Sequence, residues 1–184
     1  VIKVEIIVGT DGVDTLQGTD APSNILSQAG GDGIKGGGGN DTPYGSYGDD
    51  VMSGEIGDDT LYGEQDADYL EGNAGDDILE GGLGLDTLAG GAGNETYYLG
   101  YDAVDVIDDQ GLASDIDTLI MPAQLLKYTL PKGIETGTIA ASTQTSHLAG
   151  NTGNNTLNGN DGSNLLSGAV GRDSLFGGSR AVTC

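Results

Sequence analysis

The chain has 184 residues, 35 of them glycine and none tryptophan, with 29 acids against six lysines and arginines for a formal charge of -23. So much glycine excludes long helices, since each glycine costs about 1 kcal/mol relative to alanine inside one. The charge excludes polyanionic nucleic acid and anionic membrane surfaces as partners and favours cations.

No apolar run reaches the roughly 18 residues of a membrane span. The one cysteine, Cys184, has no internal partner for a disulfide. The opening VIKVEIIV reads as a lead-in strand over residues 1–8, too short and too poor in basic residues for a signal peptide. Starting at Val1 and stopping inside a repeat, the chain is expected to be a fragment of something longer.

From Gly9 to Tyr98 a nine-residue frame runs without insertion, giving ten copies. Position one is Gly in every copy except Ser27. Position four holds Gly12, Gly30, Gly39, Gly48, Gly57, Gly75, Gly84 and Gly93, broken by Ala21 and Asp66. Position six reads Asp14, Ser23, Asp32, Asp41, Asp50, Asp59, Asp68, Asp77, Asp86 and Glu95. Position eight reads Leu16, Ile25, Ile34, Pro43, Met52, Leu61, Leu70, Leu79, Leu88 and Tyr97. Acidic, glycine-rich composition alone describes a solvated, disordered segment. Columns held in register over ten copies argue for order. The pattern, complete in GGLGLDTLA from Gly81 to Ala89, resembles the RTX (repeats in toxin) nonapeptide. The resemblance implies an all-β, right-handed parallel β-roll (a β-solenoid) that binds calcium, with two nonapeptides per 18-residue coil and a short β cap or linker.

The physics of the columns agrees. Glycines at positions one and four permit turns whose carbonyls face inward. Positions seven to nine are expected to form a very short strand with position eight inside. Like positions then stack every 18 residues at about 4.8 Å. Two carboxylates at that spacing repel by about 3.5 kcal/mol at an effective dielectric near 20. Paired aspartates and loop carbonyls form an oxygen-only donor set that suits Ca²⁺ better than Mg²⁺, and zinc lacks its Cys and His ligands. The acid pairs are Asp14/Asp32, Asp32/Asp50, Asp50/Asp68, Asp68/Asp86, Asp41/Asp59, Asp59/Asp77 and Asp77/Glu95. About seven ions are therefore expected in residues 9–98, where 19 acids face one lysine, Lys35. Ser23/Asp41 would be a weak or empty eighth pair. Pro43 at an inward strand position and Ser23 in an acid column mark the first four repeats as the loosest.

Residues 99–140 lose the frame and read as an irregular β cap or linker, with short strands near Thr96–Leu99, Val104–Ile107 and Thr118–Met121. Asp102, Asp105, Asp108, Asp109, Asp115 and Asp117 read first as solvated turn acids. Residues 141–184 restore the repeat in a new register. Leu148, Leu157, Leu166 and Leu175 fill position eight, while Ser146, Asn155, Asn164 and Asp173 fill position six. This second block is expected to be structural and metal-poor, with Asn155/Asp173 as its one candidate pair.

No nucleophile, base and oxyanion group are spaced for catalysis. The Ser146-His147 dipeptide has no third partner, and no GK[ST] follows the many GxG matches. The expected function is non-enzymatic: a secreted, calcium-folded structural or secretion-assisting module of a larger bacterial protein. Type I secretion machinery is the partner that the resemblance implies. The alternatives are the non-catalytic repeat region of a secreted enzyme of this family (protease, lipase or epimerase), or an adhesin or surface-layer element that self-assembles or meets a cell-surface partner.

Overall fold

A computed structural model describes residues 4–101, 105–112, 114–142 and 144–178. Val1 to Lys3 of the lead-in, Asp102, Val104 and Cys184 lie outside the described residues. The chain divides into two compact units, Val1–Asp115 and Ile116–Cys184. The described residues contain strands and turns but no helix, as the glycine content requires.

The first unit winds through β1 (Glu5–Val8), β2 (Thr15–Gln17), β3 (Ser23–Leu26), β4 (Gly33–Gly38), β5 (Thr42–Tyr47), β6 (Val51–Ile56), β7 (Thr60–Gln65), β8 (Tyr69–Ala74), β9 (Ile78–Leu83), β10 (Thr87–Ala92), β11 (Thr96–Tyr98) and β12 (Val106–Ile107). Odd strands β1 to β11 form one parallel sheet and even strands β2 to β12 another. Each strand thus pairs with the strand two places on, and from β1 to β11 the register is 18 residues: Leu16 with Ile34, Ile34 with Met52, Met52 with Leu70, Leu70 with Leu88. This is a parallel β-roll, two nonapeptides to the coil. Between the sheets lie the position-eight side chains Ile25, Ile34, Met52, Leu61, Leu70, Leu79, Leu88 and Tyr97, all buried. Pro43 keeps its inward place within β5, buried and paired with Ile25.

The strands differ from the three-residue expectation. From β4 to β10 each has six residues, running from position seven through position three of the next copy. Position one therefore lies inside the strand, and only positions four to six turn. Within these strands position two adopts a left-handed backbone, even where it is not glycine: φ is 79° at Ser46, 75° at Glu55, 81° at Glu64 and 78° at Asn73. The short strands β2 and β3 fall in the early copies where the columns are least regular. Outside the roll, Tyr44 and Tyr62 stack with ring centroids 4.9 Å apart and planes 9° from parallel, at the strand spacing. Lys35 pairs with Glu55 at 3.3 Å.

The second unit contains β13 (Asp117–Met121), β14 (Lys127–Thr129), β15 (Ile134–Ile139), β16 (His147–Ala149), β17 (Thr156–Asn158), β18 (Leu165–Ser167) and β19 (Ser174–Phe176). Here β13, β15, β17 and β19 pair in parallel, as do β14, β16 and β18. Leu148, Leu157 and Leu166 are buried between them with Leu119, Met121, Leu130 and Ile134.

Candidate metal centre

The turns carry the chemistry. At each coil the position-six carboxylate turns back under the preceding coil, and its Oδ1 accepts a hydrogen bond from the backbone N–H 18 residues earlier. In the even column Asp14 N–H donates to Asp32 Oδ1 at 2.8 Å, Asp32 to Asp50 at 2.7 Å, Asp50 to Asp68 at 2.9 Å and Asp68 to Asp86 at 2.9 Å. In the odd column Ser23 N–H donates to Asp41 at 2.6 Å, Asp41 to Asp59 at 2.7 Å and Asp59 to Asp77 at 2.8 Å. Glu95 is buried at the same position one coil further on.

That bond uses one oxygen only. The Oδ2 atoms of Asp32, Asp41, Asp50, Asp59, Asp68 and Asp77 are buried with no hydrogen-bond partner. Those of Asp41, Asp50, Asp59, Asp68 and Asp77 lie against the position-one glycine five places before them. A Cβ on Gly36 would come within 2.6 Å of both Asp41 Oδ2 and the carbonyl of Gly54, one coil on. Glycine there leaves a cradle in which a carboxylate oxygen and a backbone carbonyl converge. A buried anionic oxygen without a donor is costly, and Gly36, Gly45, Gly54, Gly63 and Gly72 repeat the arrangement.

The electrostatics follow from it. Burial pushes the Asp50 and Asp59 carboxyls up to about 6, with the neighbouring Asp32 and Asp41 carboxylates adding to the shift. Asp68 and Asp77 rise to about 7 for the same reasons, burial first and then Asp50 or Asp59. Burial also raises Asp41. In every case the backbone hydrogen bond pulls the other way and loses. The adjacent position-five Asp76 behaves oppositely. The Asn94 backbone and side-chain N–H groups hold the exposed Asp76 carboxyl below the usual range, although Asp77 follows it directly in sequence.

A hard cation fits what is present. The donors are oxygens throughout, carboxylates recur at fixed spacing, and carbonyls lie within reach, whereas Mg²⁺ would demand a tighter octahedron. The position-four glycines are placed as the turn requires. Gly30, Gly39, Gly48, Gly57, Gly75, Gly84 and Gly93 all have positive φ, and a Cβ on any of the last five would strike backbone of the residue 18 before it. Gly12 differs: its φ is not in that region and a Cβ there would meet Thr10 Oγ1 only at an ordinary 4.0 Å.

Two features escaped the nonapeptide frame. Asp105 is buried, and its Oδ1 accepts from Asp86 N–H at 3.4 Å while its Oδ2 accepts from Gly100 N–H at 2.9 Å. It continues the even column after a 19-residue step, because Val106 pairs with Thr87. Asp117 is buried as well, so the solvated-acid expectation fails for these two, while Asp108 is exposed. The second feature is an outer ladder at position five. Asp58 accepts from Asp76 N–H at 3.1 Å, Asp76 from Asn94 N–H at 2.9 Å and Asp49 from Ala67 N–H at 3.0 Å. These bonds run from the later coil to the earlier one, opposite in sense to the inner ladder. The doublets Asp49-Asp50, Asp58-Asp59 and Asp76-Asp77 were its sequence signal.

In the second unit Asn155 N–H donates to Asp173 Oδ1 at 2.9 Å, the same rung with an amide side chain in place of one carboxylate. Ser146 is buried with its hydroxyl donating to the Ala123 carbonyl at 3.0 Å, while His147 is exposed on β16. The dipeptide therefore points to opposite sides of its strand.

No curated protein and no solved structure matches the chain. The family model described as RTX calcium-binding nonapeptide repeat (4 copies) matches at residues 8–43, 44–79, 71–100 and 148–179, which is more than half of the sequence. With the coil, the register and the stacked carboxylates, this establishes that the chain belongs to the RTX calcium-binding nonapeptide-repeat family.

Proposed function

We propose that the first unit is a calcium-folded extracellular module of a larger RTX protein, exported unfolded through a type I system and ordered outside the cell. The observation that carries this reading is the series of buried Oδ2 atoms without donors in Asp32, Asp41, Asp50, Asp59, Asp68 and Asp77. Ca²⁺, when bound, supplies the positive charge that lets facing carboxylates and carbonyls share one site. The chain's own residues do the rest. Position six supplies Oδ2, position-one carbonyls turn toward it, and the Oδ1 hydrogen bonds fix each carboxylate so that the site is preformed once two coils meet.

About seven ions are proposed for residues 9–98, at the acid pairs from Asp14/Asp32 to Asp77/Glu95, with Asp86/Asp105 as an additional pair. Ser23 brings a hydroxyl that donates to the Ala21 carbonyl at 2.9 Å, so the Ser23/Asp41 site is weak. Repeat-only architecture supports a non-catalytic role, whether as a secretion-assisting segment, the repeat region of a secreted enzyme or part of an adhesin.

Calcium titration of chelated protein tests the reading, following strand ellipticity and heat together. The expected outcome is cooperative gain of strand with several ions bound per chain. A first unit fully folded at neutral pH in excess chelator would overturn it.

A further inference from the structure

We infer that the second unit folds without calcium, because asparagine side-chain amides stand where the first unit leaves its carboxylate oxygens without donors. The inference rests on reading the first unit as calcium-folded, and it concerns the opposite behaviour of the same repeat.

The comparison is rung by rung. In the first unit the second oxygen of Asp32, Asp41, Asp50, Asp59, Asp68 and Asp77 has no donor. In the second unit the oxygen at that place, against the position-one glycine, is the asparagine Oδ1 and it has a donor, while an NH₂ group replaces the other oxygen. Asn155 Oδ1 accepts from Asn151 N–H at 2.9 Å and its Nδ2 donates to the Ile134 carbonyl at 3.0 Å. Asn164 Oδ1 accepts from Asn160 N–H at 2.8 Å and its Nδ2 donates to Asn160 Oδ1 at 3.0 Å.

Position two strengthens the arrangement. Asn151 Nδ2 donates to the carbonyls of Pro131 at 2.6 Å and Ile134 at 2.8 Å, and Asn160 Nδ2 donates to that of Ala140 at 3.1 Å. Inward carbonyls that would otherwise need a cation thus receive N–H donors from the chain itself. Among the described residues, no buried side-chain polar atom of the second unit is without a hydrogen bond.

The energetic difference is one of charge. A buried carboxylate column repels itself and carries the desolvation cost of each ion. A primary amide is neutral and brings both donors and an acceptor, so it closes the same geometry at the ordinary cost of a satisfied polar group. Ser146, Asn155 and Asn164, the buried position-six residues of the restored repeat, are all neutral, and the buried Asp117 lies outside that repeat. The chain therefore combines a calcium-requiring roll with a roll that holds itself.

Amide hydrogen exchange on the full chain tests this at neutral pH in excess chelator. The expected result is that amides of β16, β17 and β18 stay protected roughly 100-fold or more while those of β4 to β10 exchange near unfolded rates. Exchange of the second unit near unfolded rates would overturn the inference. Protection of both units would sustain it while refuting calcium-coupled folding of the first, so the two readings fail separately. A double variant, Asn155→Asp with Asn164→Asp, is expected to lose second-unit protection in chelator and regain it on adding calcium. If that variant stays protected in chelator, the amides are not what removes the calcium requirement.

Discussion

Asp32, Asp41, Asp50, Asp59, Asp68 and Asp77 carry two oxygens with separate tasks, Oδ1 bound to the coil before and Oδ2 without a donor. Their titration gives a signed prediction for metal-free protein. A carboxyl whose folded value lies above its unfolded value of about 3.9 favours folding when protonated. That contribution is complete below about pH 4 and is lost as pH rises through the folded values, about 6 for Asp50 and Asp59 and about 7 for Asp68 and Asp77. In chelator, strand ellipticity should therefore be greater at pH 5 than at pH 8, the reverse of ordinary acid denaturation. With calcium the dependence inverts, because the ions require the ionised form. Equal ellipticity at both pH values in chelator would refute the burial argument. The position-one glycines give a second prediction. In Gly36→Ala the new Cβ would meet Asp41 Oδ2 and the Gly54 carbonyl at 2.6 Å, well inside contact distance. This variant should bind fewer ions and require more calcium to fold, measured by the same titration. An unchanged ion count and midpoint would mean that the cradle is not where calcium sits.

The strands show which parts of the sequence were legible and which were not. Position-eight aliphatics and position-six acids stood out because each recurs in a fixed place, and both columns lie where the 18-residue register puts them. The strand length did not stand out. Glycine at position one and polar residues at position two look like a turn, yet Gly63, Glu64 and Gln65 complete β7. The backbone accommodates them by taking positive φ inside the strand, and no side-chain pattern encodes that. Asp105 was hidden by a single inserted residue, which broke the frame in sequence but not the column in space. The left-handed position two also supplies a prediction. Glu64 has φ of 81°, a conformation that costs a non-glycine residue about 1–2 kcal/mol. Its side chain is exposed, so Glu64→Gly removes strain and a charge without opening a cavity. Glycine's greater freedom in the unfolded chain offsets part of the gain. A modest net stabilisation of about 0.5–1 kcal/mol is expected, read as a lower urea requirement for the wild type than for the variant in saturating calcium. A loss of stability would show that the position-two side chain contributes contacts outweighing its backbone strain.

Over the whole molecule, a charge of -23 allows two distinct accounts of calcium dependence. In one, any cation suffices, because the acids merely repel through solvent and need screening. In the other, the ion must enter the columns. The location of the acids separates them. Asp49, Asp58 and Asp76 of the outer ladder are exposed, and monovalent salt near 1 M, with a Debye length of about 3 Å, reaches such groups. Asp50, Asp59 and Asp77 are buried, with a second oxygen no solvent ion touches once the coils close. Screening acts weakly on buried charges, and it supplies no ligand for those oxygens. Chelated protein in 1 M potassium chloride should therefore keep a disordered first unit, while millimolar calcium at low ionic strength orders it. Magnesium should fall between, since its reluctance to shed water and its short octahedral bonds suit the irregular cradle poorly. The check is circular dichroism across the three salts at neutral pH. If potassium alone restores the strand signal, the columns are relieved by screening rather than bridged, and the spacing of 18 residues loses its role as a ligand geometry.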